Sequence, residues 1–118
     1  MTADVGAQLR KGVVESCVLG LLAREPMYGW QLSEHLTRAG LIASIGTLYP
    51  VLGRLRDRGL VAAFERATGT GPVRKYYRLT PTGTAELARF QDAWGPFTAA
   101  VGAMLADASD ASPHGGDA

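Results

Sequence analysis

Between residues 44 and 58 the chain places three hydroxyls, Ser44, Thr47 and Tyr49, ahead of two arginines, Arg54 and Arg58, spaced one helical turn apart. Hydroxyls near the start of a helix suit phosphate oxygens or base acceptors, and the helix end itself favours phosphate. An arginine can reach a phosphate or the edge of a guanine, where a good bidentate contact discriminates by about 1–3 kcal/mol. Further along, Arg74 and Lys75 stand side by side ahead of two tyrosines, where they would put positive charge beside a nucleic-acid backbone or minor groove. This is the chemistry of binding. For bond making the sequence offers little. His35 and His114 are far apart and lack partners at metal-ligand spacing, and Cys17, the single cysteine, lies in an apolar helical pattern with no basic neighbour to activate it. One cysteine permits neither an internal disulfide nor a thiol metal cluster. Gly69-Thr70-Gly71 is too short, and lacks the following helix, to cradle a nucleotide phosphate. The chain therefore reads as a non-enzyme that needs no cofactor and no metal.

The candidate residues need elements to hold them. From about Val5 to Arg24 apolar residues recur at helical spacing on more than one face, which predicts a helix covered from two sides and ended at Glu25-Pro26. A second helix is predicted over about 29–39, with Leu32 and Leu36 inward and Gly40 as its C-terminal cap. In the third, Leu48, Val51, Leu52 and Leu55 fall at i, i+3, i+4 and i+7 and form one inward stripe. Taking Thr47 as its N-cap puts Pro50 at the third helical position, where a missing N–H costs no intrahelical bond. Gly59 stops this helix. Residues 60–64 and 73–79 read as two strands joined by a hairpin loop at Thr68-Gly69-Thr70-Gly71-Pro72, whose glycines are equally explained by turn chemistry. A fourth helix begins with Thr80 as N-cap and Pro81 at its first position and runs to about Leu105. Its residues Leu87, Phe90, Trp94, Phe97, Val101 and Met104 are spaced 3, 4, 3, 4, 3, a heptad-like seam interrupted by Gly95-Pro96, where one backbone bond is lost and a bend is expected.

The chain has 118 residues, 47% hydrophobic and 19% charged, enough for one small domain with a single core. The amino-terminal residues lack a basic region followed by a sustained apolar run, and no segment approaches the roughly 18 uninterrupted apolar residues of a membrane span. A cytoplasmic location is expected on that ground. The net charge is only +1, but residues 1–80 carry eleven Lys/Arg against six Asp/Glu, while residues 81–118 carry one against five. The basic excess is concentrated in 46–78, which suits a polyanionic partner and equally a solvated charged surface.

Three helices followed by a two-stranded hairpin is the order of a winged helix-turn-helix, a mainly α fold with a small β-hairpin wing (α+β), in which the third helix enters the DNA major groove and the wing touches backbone beside it. On this reading residues 5–80 are the winged helix-turn-helix domain, 81–106 a C-terminal dimerisation helix and 107–118 a disordered tail. The candidate contacts to double-stranded DNA are Ser44, Thr47, Tyr49, Arg54, Arg58, Arg74 and Lys75. The seam of the fourth helix is best covered by a second copy of the chain, helices 1 and 4 packing across a two-fold axis. Two other readings stay open: a winged-helix protein-interaction module without sequence-specific DNA binding, and a DNA-binding dimer with no effector.

The residues in hand resemble the PadR family of bacterial transcription regulators over about Leu9 to Leu105. The carriers are Met27-Tyr28-Gly29, Gly46-Thr47-Leu48-Tyr49-Pro50 with Leu52 and Leu55, Gly59-Leu60, and Arg74-Lys75-Tyr76-Tyr77 with Leu79-Thr80 and Gly83. A single C-terminal helix is similar to the short subclass. That implies a homodimer on a pseudo-palindromic operator, a repressor in most cases, and for many members release by a small molecule. The resemblance also implies a place for a small aromatic effector at the dimer interface, where Trp94, flanked by Phe90 and Phe97 and followed by Val101, matches a tryptophan on which planar compounds stack. The same rings could simply fill the interface. Gly95-Pro96 departs from the uniformly helical pattern of the family.

Overall fold

The computed structural model describes residues 9–10 and 12–110, the side chains of 107–110 excepted. The chain divides into two compact units, residues 1–87 and 88–118.

Among the described residues, the first unit is built chiefly on three helices and a small sheet. Helix α1 (Val14–Leu22) starts after a turn at Gly12-Val13, so the long helix expected from residue 5 is broken there, and Leu9 is exposed rather than inward. A glycine in the helical stretch weakens it locally, and the inward spacing resumes only at Val14. Strand β1 (Met27–Tyr28) leads directly into α2 (Gly29–Arg38), with Gln31 Oε1 accepting the Tyr28 N–H at 3.0 Å. Helix α3 (Ile45–Asp57) carries the stripe expected of it: Leu48, Val51, Leu52 and Leu55 are all buried. Strands β2 (Val61–Arg66) and β3 (Arg74–Leu79) form the hairpin.

The sheet has three strands, in the order β1-β3-β2, all antiparallel. The sequence reading missed β1. Two residues show no periodicity of their own, and this strand exists because Met27 and Tyr28 pair with Tyr77 and Tyr76 some fifty residues later. Side chains alternate across the sheet. Met27, Tyr77 and Val61 join the core, while Tyr28, Tyr76 and Phe64 form one cross-strand row on the opposite face.

Two helices end alike. Gly40 (φ 75°) follows α2 and Gly59 (φ 73°) follows α3, each in the left-handed region that glycine tolerates. Leu41 N–H then bonds to Leu36 O and Leu60 N–H to Leu55 O, at 2.8 and 2.9 Å, closing Schellman motifs whose apolar pairs anchor the next segment to the core.

The start of α3 differs from expectation. Ser44, in extended backbone, is the N-cap, not Thr47, and its side chain makes no capping bond. Pro50 is therefore the sixth helical residue rather than the third, and the bond it cannot make is to the Gly46 carbonyl. Both residues lie on the exposed side of the helix, so water can take that acceptor. The proline costs α3 a bond without costing it a buried one.

Helix α4 (Pro81–Asp110) begins as expected: Thr80 Oγ1 accepts the Gly83 N–H at 3.0 Å. The same hydroxyl donates to the Gly59 and Leu60 carbonyls at 2.7 and 3.0 Å, tying the helix start to the end of α3. Gly83 is required there, because a β-carbon would overlap the Leu60 carbonyl oxygen and crowd Leu79. From residue 88 the helix forms the second unit. It carries through Pro96 and past Leu105 to Asp110, so residues 107–110, read from the sequence as tail, are helical. Residues 111–118 of the expected tail lie outside the described residues.

Candidate nucleic-acid interface

Helix α3 has two exposed flanks, and tertiary packing treats them differently. On one flank Tyr49 lies over the start of α2. A β-carbon at Gly29 would stand 3.3 Å from Tyr49 Oη, so glycine lets the ring sit there. Tyr49, Trp30, Tyr28, Tyr77, Arg74 and Lys75 line a cleft of about 220 Å³ with Gly29 at its wall. Three residues distant in sequence, Tyr49 of α3 and the Arg74-Lys75 pair of β3, are thus brought to one site. Buried beside them, the Tyr77 phenol is pushed above its ordinary value by desolvation; the Arg56 guanidinium opposes that and Tyr49 adds to it.

Arg74 does not stand alone. Its guanidinium lies over the Tyr28 ring at 4.7 Å, and Arg66 lies over Tyr76 at 4.5 Å and Phe64 at 5.4 Å. Tyr28 meets Tyr76 edge-on at 5.3 Å, and Phe64 stacks on Tyr76 at 5.8 Å. Cations held over ring faces are attracted to the ring quadrupole. The two arginines therefore frame an aromatic row across β1, β3 and β2, which ties the wing to the start of α2. At the wing tip, Gly69 has φ 65°, and Thr68 Oγ1 donates to Pro72 O at 2.9 Å, so the loop is a bonded turn.

The opposite flank carries Thr47, Arg54 and Arg58. The two arginines, which spacing alone leaves free for a partner, are engaged within the chain. Arg54 Nε donates to Glu15 Oε2 at 2.9 Å and Arg58 Nη1 to Glu15 Oε1 at 3.1 Å; Arg58 Nη2 lies 3.7 Å from Glu86 Oε2. The side chains remain open to solvent, 58% for Arg54, 51% for Arg58 and 32% for Glu15. Glu15, Thr47 and Arg54 also border a groove of about 500 Å³ between α1, residues 41–43 and α3, floored by Val14, Ile42 and Val51. Ser44 and Thr47 are exposed at the helix start. Glu15, Tyr28, Trp30 and Arg66 were not among the candidate contact residues read from the sequence. Their place depends on contacts across the fold.

In the second unit Phe90 and Trp94 stack at 5.3 Å, and Trp94 meets Phe97 at 6.4 Å. Phe90 is half-buried; Trp94, Phe97 and Val101 are exposed, as are Met104 and Leu105. Elsewhere, burial raises the Cys17 thiol above its ordinary value, the direction of an unreactive thiol. Among the described residues no group of three His, Cys, Asp or Glu side chains could hold a metal ion, and no helix is long and apolar enough to cross a membrane.

Residues 18–89 match the model of the transcriptional regulator PadR-like family. The chain belongs to that family. PadR-like proteins are transcriptional regulators, not enzymes, and the fold agrees with their solved structures. The PadR-like regulator BC4206 of Bacillus cereus superposes with a TM-score of 0.78 at 36% identity, over 83% of this chain and 96% of that one. The transcriptional regulator Rv3488 of Mycobacterium tuberculosis is 36% identical over 80 residues, 68% of this chain and 74% of its own. PadR of Bacillus subtilis, solved in complex with operator DNA, matches with a TM-score of 0.59 at 28% identity, over 67% of this chain and 46% of that one. The winged helix-turn-helix reading and the PadR resemblance both hold.

Proposed function

We propose that this chain is a homodimeric transcriptional repressor that binds a pseudo-palindromic operator through α3 and the wing and is released by a small planar or aromatic effector. The observation that carries the DNA reading is the cleft in which Tyr49 of α3 meets Arg74 and Lys75 of the wing. A hydroxyl, two cations and an open helix start on one surface suit a phosphate backbone crossing from recognition helix to wing. Ser44 and Thr47 extend the same helix start, and Arg54 and Arg58 lie on its far flank. The solved complex of a PadR protein with operator DNA supports this use of the fold. Dimerisation is supported by the exposed stripe of the second unit, where Phe97 is 61% and Met104 68% accessible. Isolated apolar side chains at a surface are ordinary, but a helical stripe of them calls for a partner. The stacked Phe90-Trp94 pair is the place for an aromatic effector.

The test is binding of duplex DNA from upstream of the protein's own coding region, measured across a salt series against a scrambled duplex of equal length. Neutralising several phosphates makes affinity fall steeply with salt. Tyr49→Ala is expected to weaken binding while leaving the dimer intact. Absence of any sequence-specific binding would replace this reading with that of a protein-interaction module. Trp94 fluorescence unchanged by a panel of planar aromatic compounds would remove the effector.

A further inference from the structure

The pairing of Glu15 with both flank arginines has a consequence for how tightly the chain holds DNA. Arg54 and Arg58 stand one turn apart on α3, and a single carboxylate from α1 meets both, one oxygen to each guanidinium, at 2.9 and 3.1 Å. That is the arrangement in which two oxygens of a phosphate would receive the same pair. Both arginines are exposed and Glu15 is half-buried at 32%, so a phosphate can reach the contact without the core opening. A pair so exposed is weak, and it yields when a duplex is held by other contacts.

We propose that Glu15 is an intramolecular competitor of DNA phosphate: it occupies Arg54 and Arg58 in the free protein and attenuates the affinity of the α3 flank for any duplex. The proposal rests on the DNA-binding reading above. Its physical content is a charge count. Two arginines alone present +2 to the duplex; with Glu15 between them the trio presents +1. The protein thereby stays exchangeable on DNA despite a basic recognition helix. Glu86, 3.7 Å from Arg58, borders the same trio.

The experiment compares the full-length protein with Glu15→Gln on the upstream duplex and on the scrambled duplex, from about 50 to 200 mM salt. One more effective cation steepens the log–log salt slope by about 0.9. The variant is expected to bind both duplexes about tenfold more tightly at the low end and about threefold at the high end, as that slope requires. In an Arg54→Ala, Arg58→Ala background the same substitution is expected to change neither affinity nor slope, which separates local competition from a general change in net charge. Thermal melts establish that each variant is folded, and Glu15→Asp, which keeps the charge on a shorter reach, gives an intermediate slope. An unchanged slope in Glu15→Gln overturns the proposal, and so does weaker operator binding at constant slope, which would make Glu15 an orienting group instead. Failure of the unaltered protein and the variant alike to bind either duplex at low salt overturns the DNA reading itself, a result distinct from the others.

Discussion

The two units of this chain treat their large apolar side chains in opposite ways. In residues 1–87 Leu19, Leu32, Leu36, Leu48, Leu52 and Leu55 are sealed from water by one another, and the aromatic row on the outer sheet face is framed by arginines. In residues 88–118 Trp94, Phe97, Val101, Met104 and Leu105 stand open, although their spacing is as regular as that of α3. Helical periodicity reports that a face is apolar; it does not report what covers it. In the first unit the covering elements lie within the chain. In the second the same kind of stripe stands open, and a second copy of the chain is the occupant proposed above.

The comparison breaks most sharply in the core. Leu52→Ala removes a fully buried side chain from α3 and is expected to destabilise the protein by about 2–5 kcal/mol in denaturant unfolding; a loss near zero would mean the first unit does not depend on its own core. Gly83→Ala comes next. It forces a β-carbon onto the Leu60 carbonyl, and overpacking of this kind costs about 1–3 kcal/mol or more, read as a lowered melting temperature.

Phe97→Ala should behave in the opposite sense. An exposed position alters the stability of the isolated chain by less than about 0.5 kcal/mol, while the dimer dissociation constant, measured by sedimentation, rises about tenfold or more if the ring is an interface anchor. A dimer indifferent to Phe97→Ala and to Trp94→Ala would assign the stripe to another partner. Smaller still is Tyr28→Leu, which keeps apolar bulk but removes the ring under Arg74; about 0.5–1 kcal/mol of stability is at stake, with the wing the first region to gain amide exchange.

The smallest effect is with pH. Burial raises the Cys17 and Tyr77 values in the folded state, so their contribution is complete below the unfolded values, about 8.5 and 10. It is lost as pH rises beyond them, because the unfolded chain releases those protons first. Melting temperature should therefore hold from pH 7 to about 8.5 and then decline toward pH 11. A rise over that interval would mean both groups are ionised more easily in the folded protein.

Much of the candidate site was legible because its carriers are local. Thr47-Leu48-Tyr49 on a helix with a four-residue inward stripe, and Arg74-Lys75 ahead of two tyrosines, are patterns confined to a few residues. What the sequence did not disclose is how the two flanks of α3 differ. Tyr49 and Arg54 both lie off the buried stripe, and only packing decides that one meets the wing and the other meets Glu15, 39 residues away. No pattern in the sequence pairs Glu15 with Arg54 rather than with another cation.

By itself, then, the sequence determined the number and order of the main helices, the stripe Leu48, Val51, Leu52 and Leu55, the stops at Gly40 and Gly59, the cap at Thr80 and the PadR motifs. Each is set by interactions spanning one or two turns: side-chain periodicity, a positive φ only glycine takes easily, a hydroxyl reaching the third N–H. The tertiary structure alone decided the third strand, the start of α3 at Ser44 with Pro50 inside it, the seat of Gly83 against Leu60, and the arginine partners. Strand pairing, close backbone approach and ion pairing between helices join residues distant in the chain, and their energy exists only once the core has brought those residues together.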